Sequence, residues 1–169
     1  MEIFRSGQLA LFVLTALLLL AGCTTAPPIT QRPYPADASP LASRLLPRQA
    51  NDVTIYAMGL VGTPYRFGGN TPDSGFDCSG LIGHVYKTTV QVVPPRTVSK
   101  LNLWGQAVPI DGAQSGDLVV FSQRDTATHA GIYVGNGRFV HAPSTGGEVR
   151  IDDLSSKYWS AQQIAFRRP

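Results

Sequence analysis

Phe76-Asp77-Cys78-Ser79-Gly80-Leu81-Ile82-Gly83-His84-Val85-Tyr86 is the stretch that decides the fold. Leu81, Ile82, Val85 and Tyr86 recur at helical spacing, and Asp77 is a residue type that caps a helix by accepting from the N–H groups of its first turn. The spacing predicts a helix that begins at Cys78. Upstream, Val53, Tyr56, Ala57 and Leu60 mark an amphipathic helix over 51–60, ended by Gly62 and Pro64, and a glycine-rich loop over 65–76 joins the two. Beyond Pro94-Pro95 a short helix is expected near 97–103. From Asp117 the pattern changes to strands, at 118–121, 129–134, 138–142, 148–151 and 162–167. Helices first and an antiparallel sheet second define an α+β domain, with the helices packed on the sheet.

At 43% hydrophobic and 15% charged, the 169-residue chain is too apolar to be disordered. Its net charge of +3 is spread without a run of Lys/Arg longer than Arg167-Arg168, so a nucleic-acid footprint is not supported, while an acidic polymer suits the mild excess. No period of about twenty to fifty residues recurs, which excludes solenoids and propellers. Residues 1–22 read as a processing signal: a charged start at Arg5, an apolar run over 9–21, then Leu20-Ala21-Gly22-Cys23. That ending resembles the lipobox of bacterial lipoproteins, which implies cleavage before Cys23 and acylation of its thiol. Thr24 stands where an Asp would hold a Gram-negative lipoprotein at the inner membrane, so an outer-membrane anchor facing the periplasm is expected. Residues 23–49 read as the lipidated cysteine and a proline-rich tether, with Pro27, Pro28, Pro33, Pro35, Pro40 and Pro47 and no glycine. Residues 50–169 form the folded domain.

With Cys23 acylated, Cys78 has no internal disulfide partner in an oxidising compartment. It is an inert core side chain, an intermolecular partner or a reactive group. A helix N-terminus favours the third, because unpaired N–H groups and the helix dipole stabilise a thiolate and lower its pKa. A cysteine nucleophile also needs an imidazole in reach and a group that orients it. His84 lies about 600° around the same helix and faces away, which makes it structural. His129 and His141 remain, on strands joined by Gly135-Asn136-Gly137. A two-residue Asn136-Gly137 turn pairs Gly135 with Arg138, hence Ile132 with His141, and places the histidines on opposite faces. A three-residue turn pairs Gly131 with His141, puts both histidines on one face and leaves room for an imidazole; this form is expected.

Gly62-Thr63-Pro64-Tyr65-Arg66-Phe67-Gly68-Gly69, the Asp77-Cys78-Ser79-Gly80 turn, Pro95-Arg96-Thr97, Gly116-Asp117-Leu118-Val119-Val120-Phe121 and the segment from His129 to Ala142 together resemble the NlpC-type cell-wall cysteine peptidases. The resemblance covers about residues 50–168. It implies a papain-like fold and hydrolysis of a peptide bond in the peptidoglycan stem or crosslink, with Cys78 as nucleophile, His129 as base and acid, His141 orienting His129, and Tyr65 at the oxyanion. The expected resting state is a Cys78 thiolate paired with a His129 imidazolium. Ser79 and Arg96 are candidate substrate contacts, Arg96 serving equally well as a loop-holding residue, and Asp77 reads as an N-cap. The mechanism calls for no metal and no cofactor, and the implied partners are peptidoglycan and, through Cys23, a membrane. Two rivals stand beside this reading: a lipoprotein that binds peptidoglycan without cutting it, and a zinc site built from Cys78, His129 and His141.

Overall fold

Helix α1 spans Pro47–Gly59 in the computed structural model, which describes residues 45–144 and 147–169. It begins before the expected start at Asn51. Pro47 suits the first turn because a helix leaves its first N–H groups unpaired and proline has none to lose. Gln49 Oε1 accepts from the Leu46 N–H at 2.8 Å, and Leu45 packs into the core. Residues 45–49, given to the tether by their composition, therefore belong to the domain. The signal segment 1–22, Cys23 and tether residues 24–44 lie outside the described residues.

After α1 the chain forms a small ribbon in which β1, Asn70–Thr71, pairs antiparallel with β2, Gly75–Phe76. Helix α2 follows at Cys78–Val90, and a single turn, α3, at Val98–Leu101. The remaining strands are β3 at Gln106–Val108, β4 at Leu118–Gln123, β5 at Thr126–Gly135, β6 at Arg138–His141, β7 at Arg150–Asp153 and β8 at Gln163–Arg168. They pair antiparallel in the order β3-β8-β4-β5-β6-β7. The ribbon and β3 were not expected from sequence, since strands of two or three residues carry too short a period to stand out.

Both faces of the sheet are covered, which explains the unbroken apolar run Leu118-Val119-Val120-Phe121. On one face Leu118, Val120, Ala130, Ile132 and Val140 pack with Val53 and Ala57 of α1 and Leu81, Ile82 and Val85 of α2. On the other, Val119, Phe121, Phe139 and Phe166 lie with Trp159, from a 3-10 turn at Trp159–Ala161. Arg168 clamps the start of β4, giving two hydrogen bonds to Asp117 at 2.9 and 2.8 Å and a third to the Gly112 carbonyl at 2.8 Å. Among the described residues no helix is long and apolar enough to cross a membrane.

The β5–β6 hairpin reaches the expected register by a different route. Its turn has two residues, Asn136 and Gly137, both with positive φ, and Gly135 pairs with Arg138. Val134 is then left out of the ladder, because the register shifts between Tyr133 and Gly135. The extra residue sits in a bulge in the strand, and Gly135, at φ 91°, supplies a backbone conformation that a side chain would strain. Ile132 therefore faces Val140 and Gly131 comes opposite His141, as a three-residue turn would have placed them.

Candidate active site

Cys78 occupies the first turn of α2, with Asp77 as the N-cap: its Oδ1 accepts from the Gly80 N–H at 2.7 Å. The same carboxylate does more than cap. Oδ2 accepts from the Gly68 N–H at 2.9 Å, and Arg96 grips both oxygens at 2.6 and 2.9 Å. Arg96 also donates to the Gly69 carbonyl at 3.2 Å and to Ser79 Oγ. This cluster ties the loop carrying Tyr65 and Gly68 to the start of α2. Burial alone would raise the Asp77 carboxyl, but Arg96 and the Gly80 and Gly68 N–H groups hold it below the usual carboxylate range.

Ser79, expected as a substrate contact, is 5% exposed, with its hydroxyl donating to Asp77 at 3.1 Å and to the Arg96 carbonyl at 2.8 Å. Its polar group is committed inward. Arg96, left between two roles by the sequence, spends its guanidinium on Asp77, Ser79 and Gly69, which makes it the loop-holding residue.

Burial pushes the Cys78 thiol up, and Asp77 adds to the rise; N–H groups of Ser79, Ala130 and Cys78 itself oppose it. The helix-start N–H groups are thus present, yet burial and the capping carboxylate outweigh them. The Ala130 contribution also places the sulfur against β5, one residue from His129. Burial raises the Tyr65 phenol, with Cys78 the next cause, so Tyr65 and the thiol lie within electrostatic reach of one another. His84 is structural: its Nε2 lies 3.0 Å from the Tyr56 hydroxyl, with the two rings stacked.

The two strand histidines meet on the face of the sheet away from the helices. Nε2 of His129 and Nδ1 of His141 are 2.8 Å apart. Phe121 and Trp159 flank the His129 ring, at centroid distances of 6.0 and 5.3 Å, and Phe139 and Trp159 flank His141 at 4.8 and 5.1 Å. In these surroundings an imidazolium is costly. Burial, followed by the neighbouring His141, pushes the His129 pKa down to about 3, and burial takes His141 down to about 4. Both shifts favour a neutral thiol and a neutral imidazole over the thiolate and imidazolium expected from the helix N-terminus.

Asp152 was missed in the sequence. Its Oδ2 lies 3.0 Å from His141 Nε2, a short but bent contact outside regular hydrogen-bond angles. Trp159 Nε1 donates to the same oxygen at 2.8 Å, and Arg150 donates to both oxygens at 3.0 and 3.1 Å. Burial would raise the Asp152 carboxyl, but Trp159, Arg150 and His141 hold it below the usual range. The available signal was alternation: Arg150 and Asp152 stand two apart on one strand, and β7 pairs them with His141 and Phe139. That pairing crosses the connection 142–149, whose length does not set a register, so local pattern did not reveal it.

The sequence model described as the NlpC/P60 family matches residues 62–168. The chain belongs to the NlpC/P60 family. It is 44% identical over 115 residues to the murein DD-endopeptidase MepH of Escherichia coli, covering 66% of this chain and 42% of that protein. To the gamma-DL-glutamyl hydrolase of Bacillus subtilis it is 40% identical over 110 residues, covering 64% of this chain and 26% of that protein. The chain thus spans less than half the length of these two curated relatives. Among solved structures, the NlpC/p60 domain of the peptidoglycan hydrolase SagA superposes with a TM-score of 0.61 at 28% identity, covering 69% of this chain and 96% of that one. The α+β architecture of the family, with N-terminal helices packed on an antiparallel sheet, is the one described above.

Proposed function

We propose that this NlpC/P60 domain is a cysteine peptidase that hydrolyses a peptide bond in the stem or crosslink of peptidoglycan. The observation that carries the reading is a free Cys78 thiol at a helix start, with its sulfur against the Ala130 N–H, next in the chain to a half-buried histidine whose Nε2 is engaged by a second histidine. Both curated relatives named above are hydrolases, and one acts on murein by name.

Chemically, the Cys78 proton passes to His129 Nδ1 as the sulfur attacks the carbonyl, so charge appears only as the reaction begins. Backbone N–H groups at the start of α2 and the Tyr65 hydroxyl take the oxyanion. His129 then protonates the leaving amine, and water frees the acyl group from the sulfur. His141 accepts from His129 Nε2 and leaves Nδ1 bare toward the thiol, the role that Asn or Asp fills in other triads.

We further infer that Cys23 carries lipid and holds the domain on the outer membrane, facing the periplasm. What supports this is the Leu20-Ala21-Gly22-Cys23 ending after an apolar run, with Thr24 in place of Asp. Mass spectrometry of the mature N-terminus, with Cys23→Ala alongside, tests it: an unacylated Cys23 in the native membrane fraction refutes the anchor.

The activity is tested by digesting purified peptidoglycan with the wild type and with Cys78→Ala and identifying released fragments by mass. Fragments from the wild type alone establish a thiol peptidase, and their masses name the bond. Wall retained intact on both proteins favours the binding lipoprotein. Loss of activity with chelator and resistance to iodoacetamide favour the zinc site.

A further inference from the structure

Hydrogen-bond polarity in the His129–His141 pair depends on which nitrogen of each ring holds the proton, and burial favours the neutral form of both rings. His129 uses Nε2 toward His141 Nδ1, so one of these two atoms carries a proton and the other a lone pair. If the proton sits on His141 Nδ1, neutral His129 accepts at Nε2 and must carry its own proton on Nδ1, the atom that the peptidase reading above needs bare. A general base needs the opposite order. Nothing within the two histidines selects between these orders, since each gives one good hydrogen bond.

Asp152 breaks the tie. An ionised carboxylate has only lone pairs to offer, and Oδ2 stands 3.0 Å from His141 Nε2. A bare nitrogen at that distance would set lone pair against lone pair, so Nε2 keeps its proton even though the contact is bent. The carboxylate is itself fixed: Trp159 Nε1 and both Arg150 donors hold it ionised and in place. We propose that Asp152 is a positioning residue that sets the proton order of the row, Asp152 accepting from His141 Nε2, His141 Nδ1 from His129 Nε2, and His129 Nδ1 from the Cys78 thiol. The consequence for activity rests on the peptidase reading above; the proton order itself does not. No proton leaves Asp152 or reaches it during the reaction.

Asp152 also lines an open cavity of about 480 Å3 together with Arg150, Ser156, Tyr158 and Trp159. If the carboxylate is cut away, water fills its place, and water donates or accepts equally well. Both tautomers of His141 are then served, and part of the population presents a proton to the thiol.

The test is imidazole 15N NMR on histidine-labelled full chain in mild detergent, run with turnover on purified peptidoglycan. In the wild type, His129 and His141 should each carry the proton on Nε2; a proton on His141 Nδ1 overturns the proposal whatever the activity. Asp152→Ala should give a mixed tautomer population and a kcat lower by roughly 10- to 100-fold with KM little changed. Asp152→Asn should keep the wild-type tautomers and most of the rate, since its amide oxygen can accept from His141 and Trp159. Wild-type tautomers persisting in Asp152→Ala overturn the proposal, as does Asp152→Asn losing the wild-type order. Should Asp152→Ala not fold, the wild-type and Asp152→Asn spectra decide alone. A wild type with the stated tautomers that leaves the wall uncut refutes the peptidase reading and leaves the proton order standing.

Discussion

Gly131→Ala is the sharpest perturbation of the histidine pair, because it adds one methyl group and touches no titrating atom. A Cβ at Gly131 would lie 2.8 Å from Phe139 Cδ2, 2.8 Å from the Val140 carbonyl oxygen and 3.2 Å from His141 Cβ. Ordinary contact begins near 3.4 Å, so something must move by about half an ångström. The Val140 carbonyl is backbone in a strand with partners on both sides, and Phe139 is packed between Phe121 and Trp159, with centroids at 5.0 and 5.2 Å. His141 is the neighbour left to yield, which stretches its 2.8 Å contact with His129. Overpacking of this kind costs about 1–3 kcal/mol, or roughly 4–12 °C in Tm for a domain of this size. A misplacement approaching 1 Å at a catalytic group costs up to about 100-fold, so half that should slow turnover about 10-fold. Scanning fluorimetry and fragment release from peptidoglycan at 25 °C, where the variant remains folded, read the two effects. Gly83→Ala is the control: a Cβ there meets nothing within 4 Å, and replacing a mid-helix glycine should stabilise by about 0.5–1 kcal/mol. Gly131→Ala with unchanged Tm and unchanged rate would refute the placement of Gly131 against His141.

Four other outcomes are expected. Tyr65→Phe should slow turnover by roughly 100- to 1000-fold, as for the loss of one oxyanion donor, while Cys78→Ala abolishes it; equal rates for Tyr65→Phe and wild type would remove the phenol from the oxyanion site. Iodoacetamide labelling of Cys78 should climb steadily through pH 7–9, because burial raises the thiol; a plateau with its midpoint below pH 6 would instead show a resting thiolate. His129 and His141 take up protons below about pH 6.5 when unfolded, but only near about 3 and about 4 when folded. The unfolded chain binds more protons in that window, so stability should fall on acidification from pH 6.5 to 4, by up to about 1.4 kcal/mol per pH unit for each histidine; a flat Tm over that range would contradict their burial in neutral form. Arg168→Met should destabilise by about 3–5 kcal/mol in chemical denaturation, since it strands the 3% exposed Asp117 without its partner, and a change under 1 kcal/mol would show the clamp to be dispensable.

Much of the site was legible from residue order. Helix starts, strand parity and the scarcity of histidine are local or countable, so Asp77 as cap, Cys78 in the first turn, His84 facing away and His129 with His141 on one face could all be read in advance. The turn shows how far such reading goes. The expectation that the two histidines share a face rested on a three-residue turn, and turn length alone does not say where the odd residue is accommodated. The backbone placed it in a bulge at Val134 and kept a tight Asn136-Gly137 turn, because both turn residues accept positive φ.

The sequence by itself determined the elements, their order and the residue types able to carry thiol chemistry, because these depend on periodicity and on neighbours a few positions apart. Only the tertiary structure decided the state of those residues. Burial, which sums over the packed sheet and helices, pushes the Cys78 thiol up and the His129 imidazole down, against the local helix N-terminus. Ser79 and Arg96 turn inward because the fold brings Gly69, Asp77 and Arg96 together from three separate segments. Asp152 reaches His141 because β7 pairs antiparallel with β6, and that register is set by the packed sheet rather than by the pattern of either strand.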